Sequence, residues 1–107
     1  MEIKITTDNF QKEVLESKEL VLIDFFADWC GPCMMMGPIV EKIAEKFKDR
    51  LVVGKCNIDE EMDLAEKYKV MSIPTFIFFK NGEAVSTNIG SMSEKDLTAK
   101  IEEVLAK

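Results

Sequence analysis

At 107 residues, with 47% hydrophobic and 32% charged side chains, the chain has the length of one compact domain with its own core and leaves no room for a second. A formal net charge of −6 argues against a nucleic-acid partner, because phosphate backbones would be repelled. Histidine is absent, so neither the Ser/His and Cys/His arrangements of hydrolases nor a His-x-x-x-His metal site can be built.

In chain order, Ile3 and Ile5 alternate with Glu2 and Lys4, the pattern of a short first strand. Met1 to Ile5 lacks the basic-then-apolar pattern of a leader, and no apolar run is long enough to cross a bilayer, so a cytoplasmic location with no membrane partner is expected. Asp8 is the expected cap of a helix that turns Phe10, Val14 and Leu15 inward. The run Leu20 to Ala27 is apolar on both faces apart from Asp24, which predicts a central strand covered above and below.

After Trp29-Cys30-Gly31-Pro32-Cys33, a helical pattern runs from about Pro32 to Lys48, with Ile39, Val40, Ile43, Ala44 and Phe47 as its buried stripe and a kink expected at Pro38. Leu51 to Ile58 reads as a further strand, and Asp59, Glu60 and Glu61 bring negative charge to the start of a short helix with Leu64, Ala65 and Tyr68 facing the core. Thr75 to Phe79, then Asn81-Gly82, then Glu83 to Ser86 is a hairpin pattern. Ser93, with Asp96 three residues on, is placed to cap a last amphipathic helix burying Leu97, Ile101, Val104 and Leu105. The order is β-α-β-α-β-α-β-β-α.

The two thiols of Cys30 and Cys33 carry the chemistry. Cys30 lies where a helix begins, and unpaired N–H groups with the positive end of the helix dipole favour a thiolate there. Cys33 is one turn on, within reach of a disulfide. Pro32 suits the first turn, where its missing N–H is not needed, and Gly31 keeps bulk away from an approaching substrate backbone. Trp29 is read as an apolar rim. Half a zinc site is the competing reading, but a structural zinc takes four ligands and the chain offers one further cysteine, so no metal is expected. A purely structural bridge over so short a loop would remove little denatured-state entropy.

Asp24 is the one acid in a strand buried on both faces. Burial should raise its pKa. It serves either as a proton acceptor for Cys33 or as a hydrogen-bonded structural acid. Cys56, within a strand, reads as a small buried residue and not a reactive thiol. Met35 and Met36 are expected in the core, whereas Met34 and Met71, if exposed, offer an adaptable surface.

With Trp29 to Cys33 at the end of an apolar strand and Ile73-Pro74-Thr75 before a hairpin, the whole chain resembles the thioredoxin family. The resemblance implies an α/β thioredoxin fold: one domain over residues 1–107, a central mixed five-stranded sheet and four flanking helices. It also implies a protein dithiol–disulfide oxidoreductase that reduces substrate proteins through Cys30 and Cys33. No cofactor is expected, a flavin-dependent thioredoxin reductase is the expected electron donor, and a monomer is the expected state.

By the same resemblance Asp24 is the family's buried aspartate and helps deprotonate Cys33, with Lys55 as a supporting cation that moderates its pKa. Pro74 is a cis-proline beside the dithiol. The Ile73 backbone pairs with a substrate strand, while Trp29, Ile73 and Gly90 form a flat apolar contact surface. Two departures stand out. Met34 replaces a common basic residue, and Phe26 replaces a common tryptophan. The competing function is a redox-independent interaction subunit that grips a partner through the same surface.

Overall fold

The computed structural model describes residues 2–107. It sets the two most apolar segments, β2 (Leu20–Phe26) and β4 (Thr75–Lys80), side by side in antiparallel pairing. Parallel β3 (Leu51–Asn57) flanks β2 on its other side, followed by parallel β1 (Glu2–Lys4), and β5 (Glu83–Ile89) forms the opposite edge. The order is β1-β3-β2-β4-β5. With a short π-helix (Gln11–Leu15) and three α-helices, α1 (Gly31–Lys46), α2 (Met62–Lys67) and α3 (Glu94–Leu105), this is the mixed five-stranded α/β architecture the resemblance implied.

The sheet has a core on each face because its central strands carry apolar side chains in both directions. On one face Leu22, Val53, Phe76 and Phe78 meet Met36, Val40 and Ile43 of α1 and Leu97 and Ile101 of α3. On the other, Ile23, Phe25, Ile77 and Phe79 meet Phe10, Val14, Leu64 and Tyr68. There Tyr68 and Phe10 both turn edge-on to Phe79, with ring centroids 5.1 and 5.7 Å away, a favourable arrangement of ring quadrupoles. Cys56 belongs to this second core and is fully buried.

Local chemistry sets the element ends. Ser93 Oγ accepts the Asp96 N–H at 3.0 Å and starts α3. Asn81 and Gly82 have φ of 53° and 81°, the left-handed pair that a two-residue hairpin turn requires. The hairpin continues past Ser86 to the Thr75↔Ile89 pair, so β5 is longer than its alternation indicated.

Two expectations are corrected. Asp8 does not cap the first helix, whose N-cap is Phe10 with no side-chain cap hydrogen bond: Thr6 and Asn9 close the preceding turn reciprocally, Asn9 Oδ1 accepting from Thr6 N at 2.8 Å and Thr6 Oγ1 from Asn9 N at 3.2 Å, which leaves Asp8 exposed. Met35 is 79% exposed whereas Met36 is 2% exposed, because Met36 lies in line with Val40 and Ile43, four and seven residues on, while Met35, about 100° round the helix, falls outside that stripe. Pro38 lies within α1, which runs unbroken past it.

Gly54, in the middle of β3, permits the close packing of the second core. A Cβ there would lie 2.5 Å from Ile5 Cγ1 and 2.9 Å from Ile23 Cδ1, and both side chains are buried. Gly54→Ala should therefore lower unfolding stability by about 1–3 kcal/mol, measured by urea denaturation. Pairing it with Ile5→Val should recover part of the loss; equal stability of Gly54→Ala and the parent would contradict this packing.

Candidate functional site

The site forms where β2 ends and α1 begins. Ala27 is buried below the turn, and its carbonyl accepts the Cys30 N–H at 3.2 Å. Cys30 is extended (φ −88°, ψ 107°) and caps α1 with its sulfur, which accepts the Cys33 N–H at 3.2 Å. A hydrogen bond to sulfur from the first turn, together with the helix dipole, lowers the energy of a negative sulfur at this position. Cys30 and Cys33 are joined as a disulfide with Cα atoms 5.2 Å apart.

Both cysteines are buried, with Phe26, Ile58 and Ile73 packed around them. Gly31 and Pro32 are exposed above them, and a Cβ on Gly31 would meet no atom within 4 Å. The approach to the pair is thus open on the Gly31 side.

A second loop completes the site. The Ile73–Pro74 peptide is cis, and the Ile73 carbonyl lies 3.9 Å from Cys30 Sγ. The Pro74 carbonyl accepts the Gly90 N–H at 2.8 Å, and Gly90 has φ +99°, so the end of β5 is tied to the same loop. Among the described residues, no backbone hydrogen bond engages the amide or carbonyl of Ile73. Trp29, Ile73, Pro74 and Gly90 therefore converge on the dithiol.

Trp29 is 71% exposed. Its indole N–H donates to Asp59 Oδ2 at 2.8 Å, and Asn57 Oδ1 holds the Asp59 backbone N–H at 2.9 Å. Sequence reasoning assigned Asp59 only to a negatively charged turn and missed its hold on Trp29. The signal is an acid in the loop after β3, level with the loop after the parallel-paired β2. Met34 and Met71 are 61% and 93% exposed, and both flank the site.

Asp24 lies inside, on the sheet face that α1 and α3 cover, and is 1% exposed. Its Oδ1 has no hydrogen-bond partner among the described residues. Burial pushes its pKa up to about 7; the Lys55 charge opposes this and the Glu2 charge adds to it. Lys55 is level with Asp24 on the adjacent strand, but its ammonium sits 4.7 Å from the Phe26 ring centroid. Phe26 in turn packs against the buried Ala27, Cys30 and Cys33. Burial first, and the Glu61 charge second, push the Cys56 thiol up to about 12, so it is inert at neutral pH. Among the described residues, no group of three or more Cys, Asp or Glu side chains is arranged to share a metal ion.

The sequence model of the family described as Thioredoxin matches residues 1–103. Among similar proteins, a thioredoxin of Chlorobaculum thiosulfatiphilum is 41% identical over 98 residues, covering 92% of this chain and 91% of its own. One from Acidithiobacillus ferridurans is 45% identical over 89% of this chain and 88% of its own. One from Rickettsia felis is 46% identical over 87% and 89%, respectively.

The burial of Asp24 has a pH signature. An unfolded aspartate ionises near 3.8 and the folded one near 7, so between those values the native state holds a proton that the unfolded state does not, and stability falls as pH rises. At about 1.4 kcal/mol per pH unit, the loss reaches roughly 4 kcal/mol above pH 7 and vanishes below pH 4. Asp24→Asn should therefore gain on the parent between pH 4 and pH 8 in urea unfolding of the oxidised protein. A difference independent of pH would contradict this assignment. In the reduced protein, Cys56 should react with iodoacetamide at least about a hundredfold more slowly than Cys30 at pH 7, as read by peptide mass spectrometry.

Proposed function

We propose, from the premise that this chain belongs to the thioredoxin family and is a protein dithiol–disulfide oxidoreductase, that Cys30 is its attacking thiolate and Cys33 its resolving thiol. One observation carries this order: Cys30 Sγ accepts the Cys33 N–H at the helix N-terminus, so Cys30 is the sulfur that gains from negative charge.

The reduced protein attacks a substrate disulfide with the Cys30 thiolate, forming a Cys30–substrate bond and expelling the other substrate sulfur as a thiolate. Cys33 then loses its proton to Asp24 and attacks Cys30 Sγ, releasing the second substrate sulfur and closing the Cys30–Cys33 bond. Two electrons pass to the substrate. Asp24 suits the step because a base with pKa about 7 is half ionised at neutral pH and strong enough to compete for a thiol proton. Lys55 keeps that pKa from rising further, and Gly31 and Pro32 hold the approach open.

Substrate proteins bind as an extended segment against the free Ile73 backbone, with Trp29, Pro74 and Gly90 as the surrounding contact surface. Main-chain pairing carries affinity without demanding a sequence, which suits a reductase of many proteins. The chain acts as one domain and a monomer in the cytoplasm, holds no cofactor, and is recharged by a thioredoxin reductase. No helix among the described residues is long and apolar enough to cross a membrane.

Cys33→Ser should accumulate mixed disulfides with substrate proteins, seen on non-reducing gels and released by dithiothreitol. Cys30→Ser should lose insulin-disulfide reduction by at least about a thousandfold. Full activity of Cys30→Ser would exclude the scheme.

A further inference from the structure

Glu2 stands in register with Val53 of β3, so its side chain rises on the same face as Val53 and Leu22 and, one pleat further on, Lys55 and Asp24. It borders a cleft of about 350 Å³ that Phe26, Lys55 and Asn57 also line, beside the dithiol cluster to which Phe26 belongs. Two carboxylate oxygens on this face, Glu2 Oε1 and Asp24 Oδ1, are buried with no hydrogen-bond partner among the described residues. A buried carboxylate left without a donor is costly unless it is neutral or a cation faces it.

The cations are few. Lys55 stands on β3, the strand between those that carry the two acids, and reaches over the Phe26 ring. Lys4, on the same face of β1, is exposed and engages Glu60 at 3.6 Å. Asp28 and Glu60 add negative charge at the cleft rim. The helices covering this face supply Met36, Val40, Leu97 and Ile101 to its core, and β4 supplies Phe76, so they bring no countercharge inward there.

We propose that Glu2 is a positioning residue of the dithiol site, acting on Cys33 through Asp24: the two acids share one face of the sheet on the strands either side of β3, and Lys55 of β3 is the cation on that face between their strands. Two negative charges competing for one cation in a weakly screened setting cannot both be held at low cost. Asp24, fully enclosed, is the acid that keeps the proton. The direction agrees with the Glu2 charge being among the causes that raise Asp24. Glu2 thereby sets the pH at which Asp24 becomes free to take the Cys33 proton. The inference rests on the proton-acceptor reading of Asp24 given above.

The test follows the Asp24 carboxyl carbon by NMR through a pH titration of the intact protein, alongside the pH profile of insulin reduction. In Glu2→Gln, close in size to the parent side chain, the Asp24 midpoint should fall by about half a pH unit or more, and the acid limb of the activity profile should move down with it. Glu2→Asp should return both towards the parent. In the Asp24→Asn background, Glu2→Gln should change the profile no further.

An Asp24 midpoint unchanged by Glu2→Gln overturns the proposal. So does a midpoint that moves while the activity limb stays. Asp24→Asn alone then separates the two ideas: loss of the acid limb in that variant upholds Asp24 as proton acceptor and removes only Glu2, whereas its persistence removes the Asp24 role itself.

Discussion

A backbone amide aimed at a sulfur organises this molecule. For the Cys33 N–H to reach Cys30 Sγ, α1 must begin at Gly31 with Cys30 still extended, and β2 must deliver the chain to that point at the edge of the sheet. The helix dipole and the unpaired amides of its first turn then act on the Cys30 sulfur, while the helical repeat brings Cys33 beneath the exposed Gly31 and Pro32. The pair is bridged without any residue outside this turn, and the surrounding fold decides only what else can reach it.

What reaches it comes from elements distant in sequence. Loops after β2 and before β4, and the glycine after β5, meet at one edge because β2 and β4 are antiparallel neighbours and β5 returns alongside β4. The Gly90 N–H bonded to the Pro74 carbonyl locks two of these segments together. Trp29 is held by Asp59 from the loop after β3. The grouping of these loops around the dithiol is thus a property of strand order.

The interior couples stability to chemistry. An acid placed in a strand with a core on both sides is unfavourable for folding at neutral pH, and that same cost lifts the Asp24 pKa to about 7. Lys55 is close enough to temper the effect but lies over Phe26, so the acid stays without a full partner. Gly54 shows the same economy on the opposite face, where lack of a side chain lets Ile5 and Ile23 close over the sheet.

Much of this was legible in one dimension. The apolar run around Asp24, the Asn81-Gly82 turn, the Ser93 cap and the two-residue spacing of the thiols each depend on neighbours within a few positions, and each took the expected form. Errors arose where two local solutions competed. Thr6 and Asn9 close the turn before the first helix by satisfying two amides at once, which leaves Asp8 outside, and Met35 turned outward because Met36 is the residue in line with Val40 and Ile43. The grip of Asp59 on Trp29 and the place of Glu2 beside Lys55 were invisible, since Glu2 reads simply as the polar member of an alternating strand. By itself, the sequence determined the dithiol, its helix and the order of elements, because those follow from short-range hydrogen bonding and periodicity. Only the tertiary structure decided which charged residues line one cleft and which loops frame the sulfurs, because strand register and burial join residues that the chain keeps far apart.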